Sequence, residues 1–206
     1  AFSRGGKVQL LDEGAPVTGG KFLTLRRQGD RVYAFWWSHE KAKSLYFRTS
    51  TDGGNTFGPV QNVQFDNGIL PTYEVDIDER GRVFAVYTDE REPGYQIYFN
   101  RTDDAGLTWR TPDVRLDVAQ RITTEVGKTG GQASEPHLAR IGDTLIVSWQ
   151  EAGVREKKNF SRLIVRVSSD LGNTWAPAKA IFESDKVPSS MRLTTDGKSV
   201  FLSGDV

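Results

Sequence analysis

The stretch Ser168-Ser169-Asp170-Leu171-Gly172-Asn173-Thr174-Trp175 decides the fold of this chain, because it occurs three times in related form. The other two copies run from Ser50 to Phe57 and from Thr102 to Trp109. Each copy follows an apolar run and keeps Ser or Thr, Asp, Gly, Thr and an aromatic residue at the same spacing. We call these three segments the repeat turns. Their recurrence predicts one structural unit that the chain uses several times.

The residue types of the repeat turns predict hairpin connections. The Asp side chain is expected to accept hydrogen bonds from backbone N–H groups a residue or two ahead. The Gly supplies the positive φ that a tight reversal needs, and the aromatic ring is expected to cover its own hairpin. We assign a structural and not a catalytic role to Ser50, Asp52, Gly54, Thr56, Phe57, Thr102, Asp104, Gly106, Thr108, Trp109, Ser168, Asp170, Gly172, Thr174 and Trp175.

The runs around the repeat turns predict a unit of four antiparallel strands. Equivalent strands begin at Val32, Val83, Leu145 and Val200, with steps of 51, 62 and 55 residues. A shorter strand precedes each of them, a third leads into each repeat turn, and a fourth follows it. A period of about 50 residues in an all-β pattern is typical of a propeller blade. We therefore predict an all-β protein, a β-propeller with three complete blades and parts of others.

The predicted organisation is one partial propeller over residues 1–206. The blades are predicted at 19–66, 70–117 and 134–183, with a partial blade at 187–206. Residues 1–18 are predicted to hold the outer strand of a preceding blade. Because propellers close with about four to eight blades, this pattern favours a piece of a six- or seven-bladed ring. A closed ring of four blades is the alternative.

The composition narrows the classes of partner. The 206 residues include 27 Lys and Arg and 27 Asp and Glu, so the formal net charge is zero and nothing favours nucleic acid. No apolar run approaches the ~20 residues of a membrane span. The absence of cysteine excludes disulfides and thiolate ligands. Asp76, Asp78 and Glu79 lack the spacing of a calcium loop, so we predict neither a metal site nor a cofactor.

The repeat turns, the strands that end in an aromatic residue and the period together resemble the Asp-box, or BNR, repeat of sialidases and their non-catalytic relatives. The resemblance covers essentially the whole chain, and Phe57 in place of tryptophan is its one departure. It implies a propeller from a secreted, periplasmic or cell-surface protein. The expected partners are a glycan or another protein chain.

The resemblance also implies a test for sialidase chemistry. Sialidases hold the sugar carboxylate with three arginines, the first in an Arg-Ile-Pro phrase that opens a first strand, and they use an aspartate with a Tyr-Glu pair. The matching positions here read Ile69-Leu70-Pro71, Glu135-Pro136 and Lys186-Val187-Pro188, without arginine. This favours a binding or scaffold module. The alternatives are part of an exo-sialidase-type glycoside hydrolase, whose other catalytic residues lie outside this chain, and a structural array that packs against a partner chain.

Blade geometry predicts where a ligand would bind. In a four-stranded meander the repeat turns lie on one face, so a functional site is expected on the opposite face, where second strands end and first strands begin. The carboxylates placed there, which are the acid/base candidates, are Asp89, Glu135 and Glu151. The ligand-binding candidates are Arg91, Trp37, His39 and His137.

Each ligand-binding candidate also has a structural interpretation. Arg91 stands in Asp89-Glu90-Arg91, which resembles the Asp-x-Arg that ends a second strand in sialidase blades. It is expected either to clamp an anion or to form a rim salt bridge worth under about 1 kcal/mol. Trp37 is either a platform for sugar stacking or part of the packing between blades. The two histidines either serve acid/base chemistry or pack on the surface and in loops.

Overall fold

A computed structural model describes residues 21–38, 43–64, 68–92, 94–117, 132–155, 158–186 and 189–205. These residues form strands and turns, and the described ranges contain no helix that could cross a membrane. The strands are β1 (Lys21–Gln28), β2 (Arg31–Ser38), β3 (Ser44–Ser50), β4 (Gln61–Asn62), β5 (Ile69–Ile77), β6 (Val83–Asp89), β7 (Gln96–Thr102), β8 (Val114–Arg115), β9 (Gln132–Ile141), β10 (Thr144–Arg155), β11 (Lys158–Ser168), β12 (Lys179–Ser184), β13 (Ser189–Thr195) and β14 (Val200–Asp205).

The strands pair in chain order into antiparallel sheets. Blade 1 is β1 to β4, blade 2 is β5 to β8, blade 3 is β9 to β12, and β13 pairs with β14 in blade 4. The first strand of each blade, which we call the inner strand, contacts the inner strand of the next blade along the chain. This arrangement confirms the predicted all-β propeller of four-stranded antiparallel blades. The strand predicted within residues 1–18 lies outside the described residues.

Burial between neighbouring blades explains why the second strands are almost continuously apolar. Strand β6 is buried along its whole length, and its side chains alternate between two cores. Val83, Ala85 and Tyr87 pack in the core shared with blade 1. Phe84 and Val86 pack in the core shared with blade 3. A strand that is covered on both faces buries every side chain, so it lacks the polar alternation of a half-exposed strand.

The three repeat turns are closed by the same set of side-chain hydrogen bonds, illustrated by the third turn. Asp170 Oδ1 accepts from the backbone N–H of Thr174 at 2.8 Å, and Oδ2 accepts from its hydroxyl at 2.6 Å. Ser168 Oγ donates to Asp170 Oδ1 at 2.8 Å and accepts from Gly172 N at 2.7 Å. The prediction that the Asp bonds N–H groups one or two residues ahead is wrong. The bonded residue, Thr174, is four ahead of Asp170.

These bonds lower the pKa of the turn carboxylates. The hydroxyl and the backbone N–H of Thr56, followed by the hydroxyl of Ser50, lower the pKa of Asp52 to about 2. Thr174 and Ser168 lower the pKa of Asp170 to about 2 in the same way. Each donor forms a stronger hydrogen bond with the charged carboxylate than with the protonated form, so ionisation is favoured.

The aromatic residues of the second and third turns contact the preceding blade. Trp109 packs against Phe47 of blade 1 with ring centroids 5.7 Å apart. Trp175 packs against Phe99 of blade 2 at 5.1 Å. The sequence placed these rings over their own hairpins, whereas their aromatic contacts are with the preceding blade. A neighbouring blade offers an aromatic partner and a larger apolar surface than a short hairpin can.

Candidate functional site

The turns that join first to second strands lie at the same end of the blades as the repeat turns. Gly53 N donates to Asp30 O at 2.8 Å, and Leu171 N donates to Asp143 O at 3.0 Å. The inner strands therefore begin at the opposite end. We call that end the upper face, and it is where the sequence predicts a ligand site.

Each inner strand begins with a bulge at the upper face. In blade 3 Ser134 pairs with Gln150 and His137 pairs with Ser148, so two residues of β9 lie opposite one residue of β10. The register shifts at the same place in β1, β5 and β13. Bulges bend a strand and re-aim its side chains, and they are frequent beside functional sites. Because all four inner strands have a bulge at this position, the beginning of the inner strands is where the upper face departs from regular strand geometry.

Glu135 lies in the bulge of blade 3 and has a backbone φ of 52°. The other non-glycine residues with positive φ in the described ranges are Ala105 and Leu171, at 59° and 58°. Both occupy the turn position that Gly53 fills in the first repeat turn, so the turn geometry accounts for them. No such turn surrounds Glu135. Left-handed backbone in a non-glycine residue costs about 1–3 kcal/mol and is concentrated at functional sites.

The carboxylate of Glu135 is exposed and is held by one neighbouring side chain. Gln150 Nε2 donates to Glu135 Oε2 at 3.0 Å. An amide donor orients the carboxylate without neutralising its charge. Glu135 therefore presents an oriented anionic acceptor at the upper face, which suits a ligand rich in hydroxyl groups.

Asp89 and Arg91 belong instead to a buried network. Arg91 Nη2 donates to Asp89 Oδ2 at 2.7 Å, and its two Nη atoms donate to Asp113 Oδ1 and Oδ2 at 3.0 and 2.9 Å. The guanidinium lies 4.1 Å from the ring centroid of Tyr98, and Tyr87 donates its hydroxyl to Asp113. The Arg91 side chain is 12% exposed and those of Asp89 and Asp113 at most 1%. Arg91 therefore forms salt bridges, as one of its two interpretations expects, but they are buried within blade 2 and do not lie on a solvated rim.

This network changes what Asp89 and Arg91 can do. Asp89 also accepts from the backbone N–H of Arg91 at 2.7 Å, so its carboxylate is occupied and inaccessible to a substrate. An anionic ligand would have to displace Asp113 to form a two-point contact with Arg91. The structure thus corrects the view of Asp89 as an acid/base candidate and gives Arg91 a cross-linking role within blade 2.

Glu151 is also tied into an ion pair. Its Oε2 accepts from Arg162 Nε and Nη2 at 2.8 and 2.6 Å, and its Oε1 accepts from Trp149 Nε1 at 3.1 Å. Burial raises the pKa of Glu151, although the bonds from Arg162 and Trp149 oppose the rise. Because neighbours in a strand point to opposite faces, Glu151 and Gln150, which holds Glu135, lie on opposite sides of blade 3. Glu135 and Glu151 therefore do not form a pair around one ligand.

The aromatic and histidine candidates have separate outcomes. Trp37 is 8% exposed within the core between blades 1 and 2, and its Nε1 donates to Ile69 O at 2.7 Å. Trp37 therefore packs between blades and is not available as a platform for sugar stacking. His137 Nδ1 lies 2.9 Å from Glu74 Oε1, which connects the inner strands of blades 3 and 2. His39 lies outside the described residues.

A second polar region lies along the inner strands, nearer the repeat turns. A cavity of about 390 Å³ is lined by residues of all four inner strands. The charged lining residues are Arg26, Glu74, Asp76 and Arg140. Asp76 Oδ2 accepts from Arg140 Nε at 2.6 Å, which adds an ion pair to the contact between Glu74 and His137 across blades 2 and 3. We call this space the axial cavity.

Sequence reasoning missed the lining residues of the axial cavity and the partner of Arg91. The alternation in Tyr73-Glu74-Val75-Asp76-Ile77 could have shown that both carboxylates share one face of an inner strand. No local pattern indicated Asp113, which follows the second repeat turn and meets Arg91 only in the folded blade. The described residues contain no group of three or more His, Cys, Asp or Glu that could hold a metal ion.

The comparisons with known proteins support the fold. No protein-family model and no curated protein sequence matches this chain. Among solved structures, a protein of unknown function from Dyadobacter fermentans is 15% identical with a TM-score of 0.61, over 92% of this chain and 57% of that one.

Two enzymes of known class are similar to the same degree. An α-L-arabinofuranosidase from Fusarium graminearum, bound to an iminosugar inhibitor, is 14% identical with a TM-score of 0.57, over 84% of this chain and 52% of that one. An α-L-arabinanase from Penicillium chrysogenum, complexed with arabinobiose, is 14% identical with a TM-score of 0.53, over 84% of this chain and 53% of that one. The chain spans little more than half the length of these proteins. Structural similarity at such low identity shows a shared propeller fold. It does not show a shared function, which has to be argued from the residues of the site.

Proposed function

We propose that this chain is a carbohydrate-binding propeller of glycoside hydrolase type, with the glycan bound on the upper face beside Glu135. The observation that carries the proposal is the left-handed φ of 52° at Glu135, outside any repeat turn. Backbone strain that turn geometry does not require is retained where it positions a side chain for function. Here it positions an exposed carboxylate that Gln150 orients.

The chemistry of the site and the similar structures agree with a sugar ligand. An ionised carboxylate accepts two or more hydroxyl hydrogen bonds, and charge assistance makes these bonds stronger than neutral ones. Two of the similar structures hold an iminosugar and arabinobiose. A neutral oligosaccharide is therefore a better candidate ligand than a sialoside. A sialoside would need arginines at positions where this chain has other residues, and Arg91 is already paired.

Glycoside hydrolysis is the second candidate function, and the same strained carboxylate favours it. Hydrolysis usually requires two carboxylates on either side of the scissile bond, about 5–10 Å apart. Of the other predicted carboxylates, Asp89 is buried beneath Arg91 and Glu151 lies on the opposite side of blade 3. Binding therefore fits the described residues better than catalysis does.

The experiment is glycan binding by the intact chain and two matched variants. Arabinobiose, arabinan oligosaccharides, xylo-oligosaccharides and sialyllactose are titrated by calorimetry into the parent, Glu135→Gln and Glu183→Gln. Glu183 is an exposed strand carboxylate of the same blade and serves as the control. We expect Glu135→Gln to weaken the tightest binding about tenfold or more and Glu183→Gln to leave it unchanged. Equal affinities for all three proteins, or no binding to any glycan, would overturn the proposal.

Product analysis of the same mixtures separates the two candidate functions. If Glu135 is only a ligand contact, the oligosaccharides remain intact after prolonged incubation with the parent protein. Release of shorter sugars by the parent, abolished by Glu135→Gln and retained by Glu183→Gln, would establish hydrolysis instead.

A further inference from the structure

The axial cavity is a polar space separate from the upper face. Its lining residues Arg26, Asp76, Arg140 and Thr195 lie in the second halves of their inner strands, which run toward the repeat turns. Glu135 lies near the beginning of β9, toward the opposite end of the blade. Arg26 and Thr195 are exposed, so the cavity is accessible from solvent. A ligand here would not depend on the contacts proposed for Glu135.

The acceptors in the cavity wall are already occupied. Glu74 Oε1 contacts His137 Nδ1 at 2.9 Å, and its Oε2 accepts from the backbone N–H of Leu138 at 2.6 Å. Asp76 is bonded to Arg140, whose other guanidinium nitrogens donate to the carbonyl groups of Gly142 and Ile77. Both carboxylates therefore have partners within the protein, and so does the guanidinium of Arg140.

Arg26 is the lining cation whose donors remain available. Its one side-chain hydrogen bond within the described part of the chain runs from Nη1 to the carbonyl of its neighbour Leu25, at 3.2 Å. No carboxylate of the described residues lies within ion-pair distance of it. A guanidinium has five N–H donors in a planar fork, so most of the donors of Arg26 point to no protein acceptor. Its charge also reaches Tyr73 of β5, where it opposes the rise that burial causes in the pKa of that side chain.

The opposite wall supplies hydroxyl groups. Thr194 and Thr195 of β13 line the cavity and are exposed. Thr195 Oγ1 accepts from Gly197 N at 2.9 Å and keeps its hydroxyl proton free to donate. The cavity thus combines one available guanidinium with hydroxyl donors, while its carboxylates are hydrogen-bonded within the protein. This combination matches a ligand that carries acceptor oxygens.

We infer that the axial cavity binds a small polyhydroxy carboxylate, whose carboxylate group lies on Arg26 and whose hydroxyl groups face the wall that Thr194 and Thr195 form. A planar carboxylate accepts two parallel bonds from a guanidinium fork, which a point acceptor cannot do. The volume of about 390 Å³ lies within the size range of small-ligand pockets.

The test compares two probes that differ only in the charged group. Sodium gluconate and its neutral counterpart sorbitol are titrated into the intact parent chain, with inorganic phosphate as a second anion. The variants are Arg26→Gln and Arg27→Gln. Arg27 is also an exposed arginine of β1, but it points to the other face of the strand and donates to Gly29 O, so it is the matched control. Thr194→Val tests the hydroxyl wall without altering the guanidinium.

We expect gluconate to bind the parent and Arg27→Gln equally, and to bind Arg26→Gln about tenfold more weakly. Sorbitol should bind the parent about as weakly as gluconate binds Arg26→Gln, and Thr194→Val should show a smaller loss. Amide shifts of Thr194 and Arg140 should move on titration in nuclear magnetic resonance spectra. Glu135→Gln should bind gluconate like the parent, which separates this site from the glycan site.

Four results would overturn the inference. These are no gluconate binding by the parent, equal binding of gluconate and sorbitol, an equal effect of Arg26→Gln and Arg27→Gln, and tighter binding of phosphate than of gluconate. The last result would reject carboxylate as the ligand class. A thermal midpoint of Arg26→Gln equal to that of the parent excludes a folding defect as the cause of lost binding. If the thermal midpoint of Arg26→Gln falls, the test rests on Thr194→Val. An unchanged gluconate affinity in the Thr194→Val variant would then reject the site.

Discussion

The ring of Phe47 meets the indole ring of Trp109 edge-on, with the ring planes at 86°. Phe47 belongs to the third strand of blade 1, whereas Trp109 ends the repeat turn of blade 2. Phe99 and Trp175 repeat the arrangement at the next interface, with their planes at 71°. Each of these turns therefore holds the preceding blade as well as its own hairpin. This explains why the phrase ends in a large aromatic residue at fixed spacing.

The glycine of the repeat turn makes room for the same contact. Gly106 has a φ of 95°, and a Cβ atom on it would overlap the ring of Phe47. Gly106→Ala should therefore lower the free energy of unfolding by about 3 kcal/mol, from backbone strain and overpacking together. Gly142→Ala is the control, because Gly142 has a φ of 57° with nothing within 4 Å of the added carbon. It should cost about 1 kcal/mol. Equal losses in urea denaturation would show that the ring contact contributes nothing.

Removal of Arg91 should destabilise blade 2 rather than merely alter its surface. Arg91→Ala leaves the buried carboxylates of Asp89 and Asp113 without their cation, and breaking such a pair costs about 3 kcal/mol. Arg80→Ala removes an exposed arginine and should change the free energy of unfolding by about 0.5 kcal/mol or less. Chemical denaturation of both variants checks the difference. A loss under 1 kcal/mol in Arg91→Ala would restore the interpretation as a solvated rim salt bridge.

Acidification should weaken the repeat turns in a defined window. The pKa of Asp170 is about 2 in the folded chain, against an ordinary value of 3.8. Because the folded value is the lower one, the stabilisation is complete above about pH 4 and is lost as the pH falls through about 2. Asp170→Asn removes the titration. The thermal midpoints of parent and variant should differ most above pH 4 and converge toward pH 2. A difference that stays constant down to pH 2 would contradict the assignment.

The strain at Glu135 predicts that glycine stabilises this position relative to alanine, which is the reverse of its effect in a regular strand. Glycine adopts a positive φ readily, so Glu135→Gly should be more stable than Glu135→Ala by about 1 kcal/mol. At Glu183, in a regular strand, the glycine variant should instead be less stable than the alanine variant by about 0.5–1 kcal/mol. The free energies of unfolding of the four variants give the comparison directly. The same order of stability at both positions would show that Glu135 is not strained.

The blade unit was predictable because its signals are local. Three repeat turns with an Asp, a Gly and an aromatic residue, together with apolar runs at regular steps, indicate a four-stranded blade without knowledge of any distant contact. The same reasoning could not identify the bonding partners within the turn. Two details differ from expectation: the N–H group that Asp170 binds lies four residues ahead, and the neighbour of Trp109 lies in the preceding blade.

The candidate site was predictable only as a region. Glu135 was placed on the upper face together with Asp89 and Glu151, and nothing in the sequence distinguished the three. Glu151 differs because Arg162 of the next strand binds it, and Asp89 differs because Asp113, which is distant in the chain, holds its partner Arg91 in the blade. Partners of this kind depend on how strands pair and which face each side chain takes.

The sequence by itself determined the repeated blade, its turn chemistry and the end of the blades at which first strands begin. These properties depend on residues within one hairpin, where short-range hydrogen bonds and alternation of apolar side chains dominate. Only the tertiary structure decided that the charge of Arg91 is paired with two buried carboxylates, that Glu135 is strained and exposed, and that Arg26 faces a shared cavity. Those properties arise where neighbouring strands and blades bring together charges and backbone that are far apart along the chain, and burial then sets which of them remain available to a ligand.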